Sequence, residues 1–225
     1  MLDCISVANM RDSDAYTIAH FVPSLTLMHR AALGIFRAHD WQGRTAIVCG
    51  SGNNGGDGFA LACILAQQGF ACAIFTLSDR LSADSAHYAE KARAAGVPVA
   101  PFTADCLTGF DTVVDCLLGT GFQGPVRPHY RAAIEAINAS DACVISADIN
   151  SGMNGDTGAG ECIVSSDLTV TIGFVKRGLV TQQAGTCMKR LVCADIGIRL
   201  LREEEKLTEA NRPAWLDPDP IIAYT

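Results

Sequence analysis

The chain has 225 residues, of which 49% are hydrophobic, so one α/β domain with a sizeable core is the simplest organisation. A formal net charge of −7 argues against a nucleic-acid-binding protein, which needs a basic face. The first six residues include an acid and no apolar stretch, so we expect no signal peptide. No apolar run approaches the ~18 residues that span a bilayer.

The ten cysteines indicate a reducing compartment. They form no C-x-x-C pair and no Cys/His group with zinc spacing. Several lie within apolar runs, where a free cysteine behaves as a small buried hydrophobic residue: Cys49, Cys116, Cys143 and Cys193. We therefore predict a cytoplasmic protein with core thiols and no disulfide framework.

Two helices are predicted before the first strand of the core. The first covers residues 6–20, with Ser6 as its N-cap. The second follows Pro23-Ser24, where apolar side chains recur at helical spacing at Leu25, Met28, Ala32 and Ile35. This helical arm, residues 6–40, is expected either to cover a sheet edge or to form a dimer surface, and the sequence leaves both open.

From Arg44 onward, apolar strand runs alternate with helical segments. The predicted strands are 45–49, 71–77, 97–99, 112–117, 142–147, 168–172 and 191–194. The predicted helices are a run from Phe59 that ends near Gly69, one from Ser82 to Gly96, and one over 128–138. This alternation is typical of an α/β fold, a three-layer doubly wound Rossmann-like sheet, mostly parallel, with helices on both faces.

We predict a single domain over residues 1–225, with an α/β core at 44–200 and a tail at 203–225. The tail begins with three consecutive glutamates and contains three prolines. Such a composition favours exposure, so we expect the tail to be partly mobile.

A glycine-rich loop, Gly50–Gly58, lies between a strand and an apolar helical run. Its glycines include the G-x-G-x-x-G spacing, which permits tight turns with positive φ and close approach of a ligand. The N-terminus of the following helix attracts anions. Asn53, Asn54 and Asp57 add two amides and a carboxylate to the loop. Loop geometry alone is the alternative explanation, and we favour a polar binding site.

Two further strand ends carry an acid and a glycine-rich loop. Asp115 precedes the turn Gly119-Thr120-Gly121, and Asp148 follows the strand at 142–147. Ligands of doubly wound sheets bind beyond the carboxyl ends of the strands, so the three loops are expected to converge on one crevice. The alternative is that each aspartate caps its own turn.

The second strand end also suggests a cation site. Asp115 lies between apolar residues, and a buried carboxylate needs a partner. Nearby basic residues are scarce, and only Arg127 and Lys176 are candidates. Asn54, Asp115, Ser151 and backbone carbonyls form an all-oxygen set that suits a hard cation.

Together these loops resemble the YjeF N-terminal family, the NAD(P)HX epimerases. The resemblance lies in Gly50–Gly58, Asp115–Gly121 and Asp148–Gly152. Further segments match in order: Met10-Arg11, Pro23-Ser24-Leu25 with Leu27-Met28, Thr169–Gly173 with Lys176 and Gly178, and Ala194–Ile198. The match spans about residues 5–200.

The resemblance implies an isomerase that interconverts the R and S epimers of NADH or NADPH hydrated at C6 of the nicotinamide ring. It implies a potassium ion held by Asn54, Asp115 and Ser151. It implies binding of the dinucleotide by Asn53, Asn54, Gly55, Gly56, Asp57, Gly119, Thr120, Gly121, Phe122, Gln123, Gly124 and Pro125. Asp148 would face the hydrated ring as a general acid–base, so Asp148→Asn is expected to fold but lose activity. We also predict a homodimer and a separate S-specific dehydratase as functional partner.

Three departures from the family pattern stand out. Asn150 replaces the usual proline, so the turn at 148–151 is expected to be looser. His29-Arg30 replaces Glu-Asn, which puts dimer or site contacts in doubt. We also expect no fused dehydratase domain of the kind that many bacterial relatives carry. Two alternative functions stay open: a binding module on the same scaffold, and an NAD-dependent dehydrogenase with Asp79 as the ribose-binding acid.

Overall fold

The computed structural model describes residues 1–224 of the chain. Its strands are β1 (Leu2–Ile5), β2 (Arg44–Cys49), β3 (Ala71–Thr76), β4 (Val99–Pro101), β5 (Thr112–Cys116), β6 (Cys143–Ala147), β7 (Leu168–Ile172), β8 (Val175–Lys176), β9 (Leu191–Asp195), β10 (Glu205–Leu207) and β11 (Leu216–Ala223). Its helices are α1 (Val7–His20), α2 (Ser24–Arg37), α3 (Asn53–Gln67), α4 (Ala83–Ala94), α5 (Pro128–Asn138) and α6 (Gln182–Gly185), with a 3₁₀ turn at Arg177–Val180.

An eight-stranded sheet forms the centre of the fold, in the order β11-β9-β7-β6-β5-β2-β3-β4. All neighbouring strands in it are parallel, which confirms the predicted doubly wound α/β class. The strand order reverses between β2 and β5, and this switch point is where such sheets bind ligands. Cys49 pairs with Cys116 in the register of these strands, so the loops that follow them leave the sheet at the same level.

Helices cover both faces of the sheet, as predicted. On one face α2, α3 and α4 bury an apolar cluster that includes Ile35, Phe59 and Tyr88. On the other face α5 packs Tyr130 and Ile134 against β5 and β6. The apolar stripe of α2 packs on α3 and on the face of β7 and β9. The helix also reaches the edge strand β11, where Arg37 donates to the Ala223 carbonyl at 2.6 Å.

Helix α1 is held mainly by hydrogen bonds. Ser6 caps it as predicted, accepting from the Asn9 amide at 3.2 Å. Within the helix, the Ser13 hydroxyl accepts from the Leu201 amide at 3.1 Å, and the Thr17 hydroxyl accepts from the Arg199 amide at 2.9 Å. Both hydroxyl residues are fully buried, so the helix is fixed to the segment that follows β9.

The expectation of a partly mobile tail is wrong. Strand β11 extends the main sheet beside β9, and β10 joins a second, three-stranded sheet in the order β10-β1-β8. Leu207 and Leu216 are buried in an apolar cluster with β9. The acidic run is also anchored, since Glu204 binds Arg177 at 2.6 Å. These contacts join residues far apart in sequence, which composition does not reveal.

The ten cysteines are free thiols. Burial raises the pKa of Cys72 to about 11 and that of Cys193 to about 12, so these thiols stay protonated. Within residues 1–224, no helix combines the length and the apolar character that crossing a bilayer requires.

Candidate active site

A cavity of about 570 Å³ opens at the switch point of the sheet. Helices α1 and α2, the start of α3 and the loops after β5 and β6 form its walls. Many residues of the predicted site line it: Asn53, Asn54, Asp57, Gly119, Thr120, Gly121, Phe122, Gln123 and Asp148. Lining residues that were not predicted as site residues include Met10, Arg11, Asp14, Met28 and Lys176. The three loops therefore do converge on one crevice.

The glycine-rich segment is mostly helical, not a loop up to Gly58. Helix α3 begins at Asn53, and its N-cap, Gly52, provides no side-chain hydrogen bond. The first backbone bond of the helix runs from the Gly56 amide to the Gly52 carbonyl, at 3.2 Å. The preceding amides at the helix start are thus left to a ligand or water, and this is the geometry that binds anions.

Four of the five glycines in this segment allow close packing, and none of the five has a positive φ. Positive φ angles in the described chain occur at other glycines and at Asp148. A Cβ on Gly56 would lie 2.5 Å from Met28 Cε and 2.6 Å from Ser85 Oγ. One on Gly58 would lie 2.7 Å from Cys49 Sγ. Glycine is therefore required for α3 to approach α2, α4 and the sheet.

Six predicted site residues lie outside the described lining of the cavity. Gly55 and Gly56 are buried in the packing of α3, and Gly124 and Pro125 lie on the exposed far part of their loop. Asp115 and Ser151 are fully buried.

Asp115 is satisfied by neutral donors. Its carboxylate accepts from the Ser146 hydroxyl at 3.0 Å, from the Leu117 amide at 3.2 Å, and from both the amide and the hydroxyl of Ser151. Neither of the two basic candidates, Arg127 and Lys176, pairs with Asp115 among the described residues, and Lys176 pairs with Asp148 instead. Burial raises the pKa of Asp115, and these hydrogen bonds oppose that rise.

Asn54 is a buried polar residue whose side chain makes no hydrogen bond within residues 1–224. Its side chain is 7% exposed, and neither its amide nitrogen nor its amide oxygen has a hydrogen-bond partner within residues 1–224. An unsatisfied buried polar group costs about 1–3 kcal/mol. The loop that follows β5 lies between Asn54 and Ser151. Its Leu118 amide donates to the Ser151 hydroxyl at 2.9 Å. Its Gly119 is so close to Asn54 that a Cβ on Gly119 would lie 3.3 Å from Asn54 Cβ.

The side-chain oxygens of Asn54, Asp115 and Ser151 are ligands of the type that a hard cation prefers. The set offers a carboxylate, a hydroxyl and an unpaired amide oxygen. In the part of the chain that is described, no group of three or more His, Cys, Asp or Glu residues is placed to hold a metal ion. The donors therefore suit an ion such as potassium better than a transition metal.

Asp148 adopts a strained backbone conformation at the floor of the cavity. Its φ is 66°, a left-handed value that non-glycine residues seldom adopt. The Ile149 amide donates to the Ala147 carbonyl across it at 2.8 Å, which makes a γ-turn. Such a conformation costs about 1–3 kcal/mol and is concentrated at functional sites.

Lys176 holds the Asp148 carboxylate. The Lys176 ammonium lies 2.6 Å from Asp148 Oδ1, and the Thr120 amide donates to Oδ2 at 3.0 Å. Lys176 also donates to the Thr171 hydroxyl at 3.0 Å and to the Ile172 carbonyl at 2.7 Å. Lys176 is fully buried, whereas the Asp148 side chain is 14% exposed. The carboxylate therefore faces the cavity with its partner beneath it.

Three carboxyl groups share this one lysine. Asp57 is nine-tenths buried and has no hydrogen bond or ion pair within residues 1–224. Burial raises the pKa of Asp57 well above its ordinary value, and the charges of Asp148 and Asp14 raise it further. Burial and Asp148 likewise raise the pKa of Asp14. Lys176 opposes both shifts but cannot neutralise three acids.

Replacing Asp57 with Asn should stabilise the protein, increasingly so at higher pH. The pKa of Asp57 is raised in the folded state, so the wild type is most stable below the unfolded value of about 3.9 and loses stability as pH rises through the folded pKa. Asn cannot ionise and avoids this loss. Thermal denaturation from about pH 4 to about pH 8 should show a growing advantage of ~1–3 kcal/mol. For the exposed control Asp40→Asn, the difference in stability from wild type should not increase with pH. Parallel curves of stability against pH for Asp57→Asn and wild type would contradict the raised pKa of Asp57.

Asn150 does not loosen the turn that contains Asp148. It is fully buried, and its amide nitrogen donates to the Val164 carbonyl at 2.8 Å and to the Ser166 hydroxyl at 3.0 Å. Its amide oxygen accepts from the Thr169 hydroxyl at 2.7 Å. The expectation of a looser turn is wrong, because the side chain fixes the segment by hydrogen bonds.

The His29-Arg30 departure lies outside the described lining of the cavity. His29 is exposed. Arg30 donates to the Ile196 carbonyl at 3.1 Å and stacks over the Tyr224 ring at 4.0 Å. The basic residue therefore joins α2 to the segments that follow β9 and β11.

Asp14 is the main acid that sequence reasoning missed. It lies on a face of α1 that also presents Val7, Met10 and Ile18 to the cavity. That spacing of three or four residues marks one side of a helix and could have drawn attention to it. Nothing in the sequence, however, places α1 above the carboxyl ends of the strands.

Comparison with known proteins identifies the family. The family described as "YjeF-related protein N-terminus" matches residues 24–178. An "NAD(P)H-hydrate epimerase" of Limosilactobacillus fermentum is 38% identical over 199 residues, covering 85% of this chain and 95% of the relative. Another protein of that name, from Rhodopirellula baltica, is 38% identical over 185 residues, covering 75% of this chain and 76% of the relative.

A longer relative and a solved structure also match this chain. The "Bifunctional NAD(P)H-hydrate repair enzyme Nnr" of Methanothermobacter thermautotrophicus is 41% identical over 193 residues, which cover 79% of this chain and 37% of the relative. The crystal structure of yeast ynu0, YNL200c, superposes with a TM-score of 0.74 at 18% identity, covering 94% of this chain and 98% of that one, and supports the fold. The chain therefore belongs to the family of YjeF-related N-terminal domains.

Proposed function

We propose that this protein is an NAD(P)H-hydrate epimerase that interconverts the R and S epimers of C6-hydrated NADH or NADPH. The observation that carries the proposal is the Asp148–Lys176 pair, held in a strained turn at the floor of the switch-point cavity. The names of relatives that align over most of the chain support it.

The cavity suits a dinucleotide. Its volume of about 570 Å³ lies within the usual range for ligand pockets, about 300–1,000 Å³. Of the described lining residues, Arg11 and Lys176 are basic. We assign the phosphates to the uncapped start of α3, at Asn53 and Asn54, where backbone amides supply the positive potential. The loop Gly119–Pro125 then contacts the ribose and Asp148 faces the hydrated ring.

Asp148 is our candidate for general acid–base catalysis. Inversion at C6 requires that a bond to that carbon breaks and reforms, with a proton transfer at the hydroxyl. A positioned carboxylate contributes about 10²–10⁴ in rate to such a transfer. Lys176 and the Thr120 amide orient the carboxylate and stabilise its charge.

We assign a potassium site to Asn54, Asp115 and Ser151, and the unpaired Asn54 amide supports it. A bound ion would supply a fixed positive charge beside the phosphate-binding end of α3. Potassium chloride should then stabilise the protein against denaturation more than choline chloride at equal ionic strength. At 10–100 times Kd the gain is about 1.4–2.7 kcal/mol.

Asn54→Leu tests the potassium assignment. This variant lacks the amide oxygen and should unfold at the same denaturant concentration in both salts. Wild-type midpoints that do not differ between the two salts would contradict the site. A full potassium effect in Asn54→Leu would remove Asn54 from it.

The biological setting follows the same proposal. A separate S-specific dehydratase would consume the S epimer, and the bifunctional repair enzymes among the relatives support such a coupling. We retain the predictions of a homodimer and of a cytoplasmic location, the latter supported by ten free cysteines.

The decisive assay supplies R-NADHX, an S-specific dehydratase and the purified protein, and follows recovery of NADH. We expect recovery well above the spontaneous rate measured with dehydratase alone. A folded sample that binds nucleotide but does not accelerate recovery would favour the non-catalytic binding module. The dehydrogenase alternative gains no support, since Asp79 is exposed and lies outside the described lining of the cavity.

A further inference from the structure

Asp14 faces the candidate catalytic residues from the helical side of the cavity. It lines the cavity from α1 and is half-buried. Its carboxyl group has no hydrogen bond or ion pair within the described residues 1–224, in contrast to Asp148. The charged groups that act on it are Asp148 at the end of β6, Asp57 on α3 and Lys176 on β8.

Helix α1 holds this residue firmly. The neighbouring Ser13 hydroxyl is fully buried and bonded to the Leu201 amide, and one turn later Thr17 is bonded to Arg199. At the start of the helix, Glu204 accepts from the amide and the hydroxyl of Ser6 at 2.8 and 2.9 Å. A side chain on a rigid element can act with the positional precision that catalysis requires.

The two acids have opposite surroundings. Asp148 is held by two donors, the Lys176 ammonium at 2.6 Å and the Thr120 amide at 3.0 Å. Within residues 1–224, Asp14 forms no ion pair and faces the charge of Asp148, and burial and that charge raise its pKa. Two acids in environments of this kind divide the roles of proton donor and proton acceptor. Asp57, also without a partner, is nine-tenths buried and less open to a substrate than Asp14.

We infer that Asp14 is a second catalytic residue of the epimerase, the general acid that protonates the C6 hydroxyl while Asp148 serves the opposite face of the ring. This inference rests on the proposed function.

The step balances without any co-reactant. Asp14 donates its proton to the C6 hydroxyl, the C6–O bond breaks with its electron pair on oxygen, and water leaves. The ring nitrogen N1 donates its lone pair to form a C6=N1 iminium ion. Water then adds to the other face of C6 and gives a proton to the Asp148 carboxylate. The product is the opposite epimer, and the reverse direction exchanges the roles of the two acids.

Asp14→Asn tests the role directly. We expect kcat to fall by a factor of about 10²–10⁴, with little change in KM for R-NADHX. In wild type, activity should be lost at high pH because the general acid ionises. That loss should disappear in Asp14→Asn. Asp14→Glu should recover part of kcat. The matched control is Asp12→Asn on the same helix, where the side chain pairs with Arg202 at the surface and should leave kcat unchanged.

Incorporation of labelled oxygen from water tests whether the C6–O bond breaks during inversion. In water labelled with heavy oxygen, wild type should introduce one solvent oxygen at C6 per inversion, after subtraction of spontaneous exchange. Retention of the original oxygen, or a wild-type rate and pH profile in Asp14→Asn, would overturn the role of Asp14 while leaving the epimerase proposal intact. An inactive wild type would overturn both.

Discussion

Replacing Asp148 with Asn is expected to reduce epimerisation by a factor of at least about 10² and to lower the free energy of unfolding by about 3–5 kcal/mol. The activity falls because an amide cannot exchange a proton with the C6 hydroxyl. The stability falls because Lys176 is fully buried and loses its only counter-charge among the ion pairs of residues 1–224. Sequence reasoning predicts that this variant folds, and the buried ion pair adds the expectation that it is less stable than wild type. Urea denaturation and the coupled assay measure the two effects.

A double variant separates the two effects. Asp148→Asn combined with Lys176→Met removes the buried charge along with its partner, and should recover most of the lost stability. Its activity should stay at the level of Asp148→Asn alone. Wild-type stability in the single variant would contradict the ion-pair argument, and activity in the double variant would remove Asp148 from the mechanism.

Replacing Asp115 with Asn is expected to cost about 3 kcal/mol or more of unfolding free energy. The carboxylate accepts four hydrogen bonds from donors of Ser146, Leu117 and Ser151. In the variant, the side-chain N–H₂ group would face some of these hydrogen-bond donors in place of a carboxylate oxygen. Those donors have no other acceptor nearby, because the position is fully buried. Each unsatisfied donor costs about 1–3 kcal/mol. Chemical denaturation in choline chloride measures the loss without any contribution from potassium.

Ser146→Ala is the matched control for Asp115. It removes one of the four bonds and leaves the carboxylate with three, so we expect a cost of about 1.5–3 kcal/mol, the range for hydrogen bonds to charged groups. Asp115→Asn should be the more damaging change. Equal stability of the two variants, or a difference between wild type and Asp115→Asn that disappears in choline chloride, would show that the hydrogen-bond network is not what makes Asp115 necessary.

Much of the fold was predictable because its signals are local. The buried strands of a parallel sheet are continuous apolar runs, and β7 has the predicted bounds, Leu168–Ile172. Helix α5 also begins and ends as predicted, since Pro128 starts it with the φ that the first helical position requires. The positions of the three polar loops then followed from sheet topology.

The features that were missed depend on distant contacts. Strand β1 pairs Leu2 with Leu207, a partner 205 residues away, and four-residue strands have weak patterns of their own. Asn150 was expected to loosen its turn because the groups it bonds come from two other loops. Asp14 could not be assigned to the site until α1 was placed over the sheet.

The small sheet β10-β1-β8 joins the first strand of the chain to segments far along the sequence, next to the helix that carries Asp14. The sheet's central strand, at Leu2–Ile5, has one neighbour that ends at Lys176 and another that begins at Glu205. The next residue after β1, Ser6, caps α1, and its amide and hydroxyl donate to the Glu204 carboxylate. A chain truncated after residue 200 would lack Leu201, Glu204 and β10, so we expect α3 to form in it while α1, which carries Asp14, is less firmly held. The first sixty residues supply about half of the cavity lining, but we expect the complete cavity to require the last part of the chain as well.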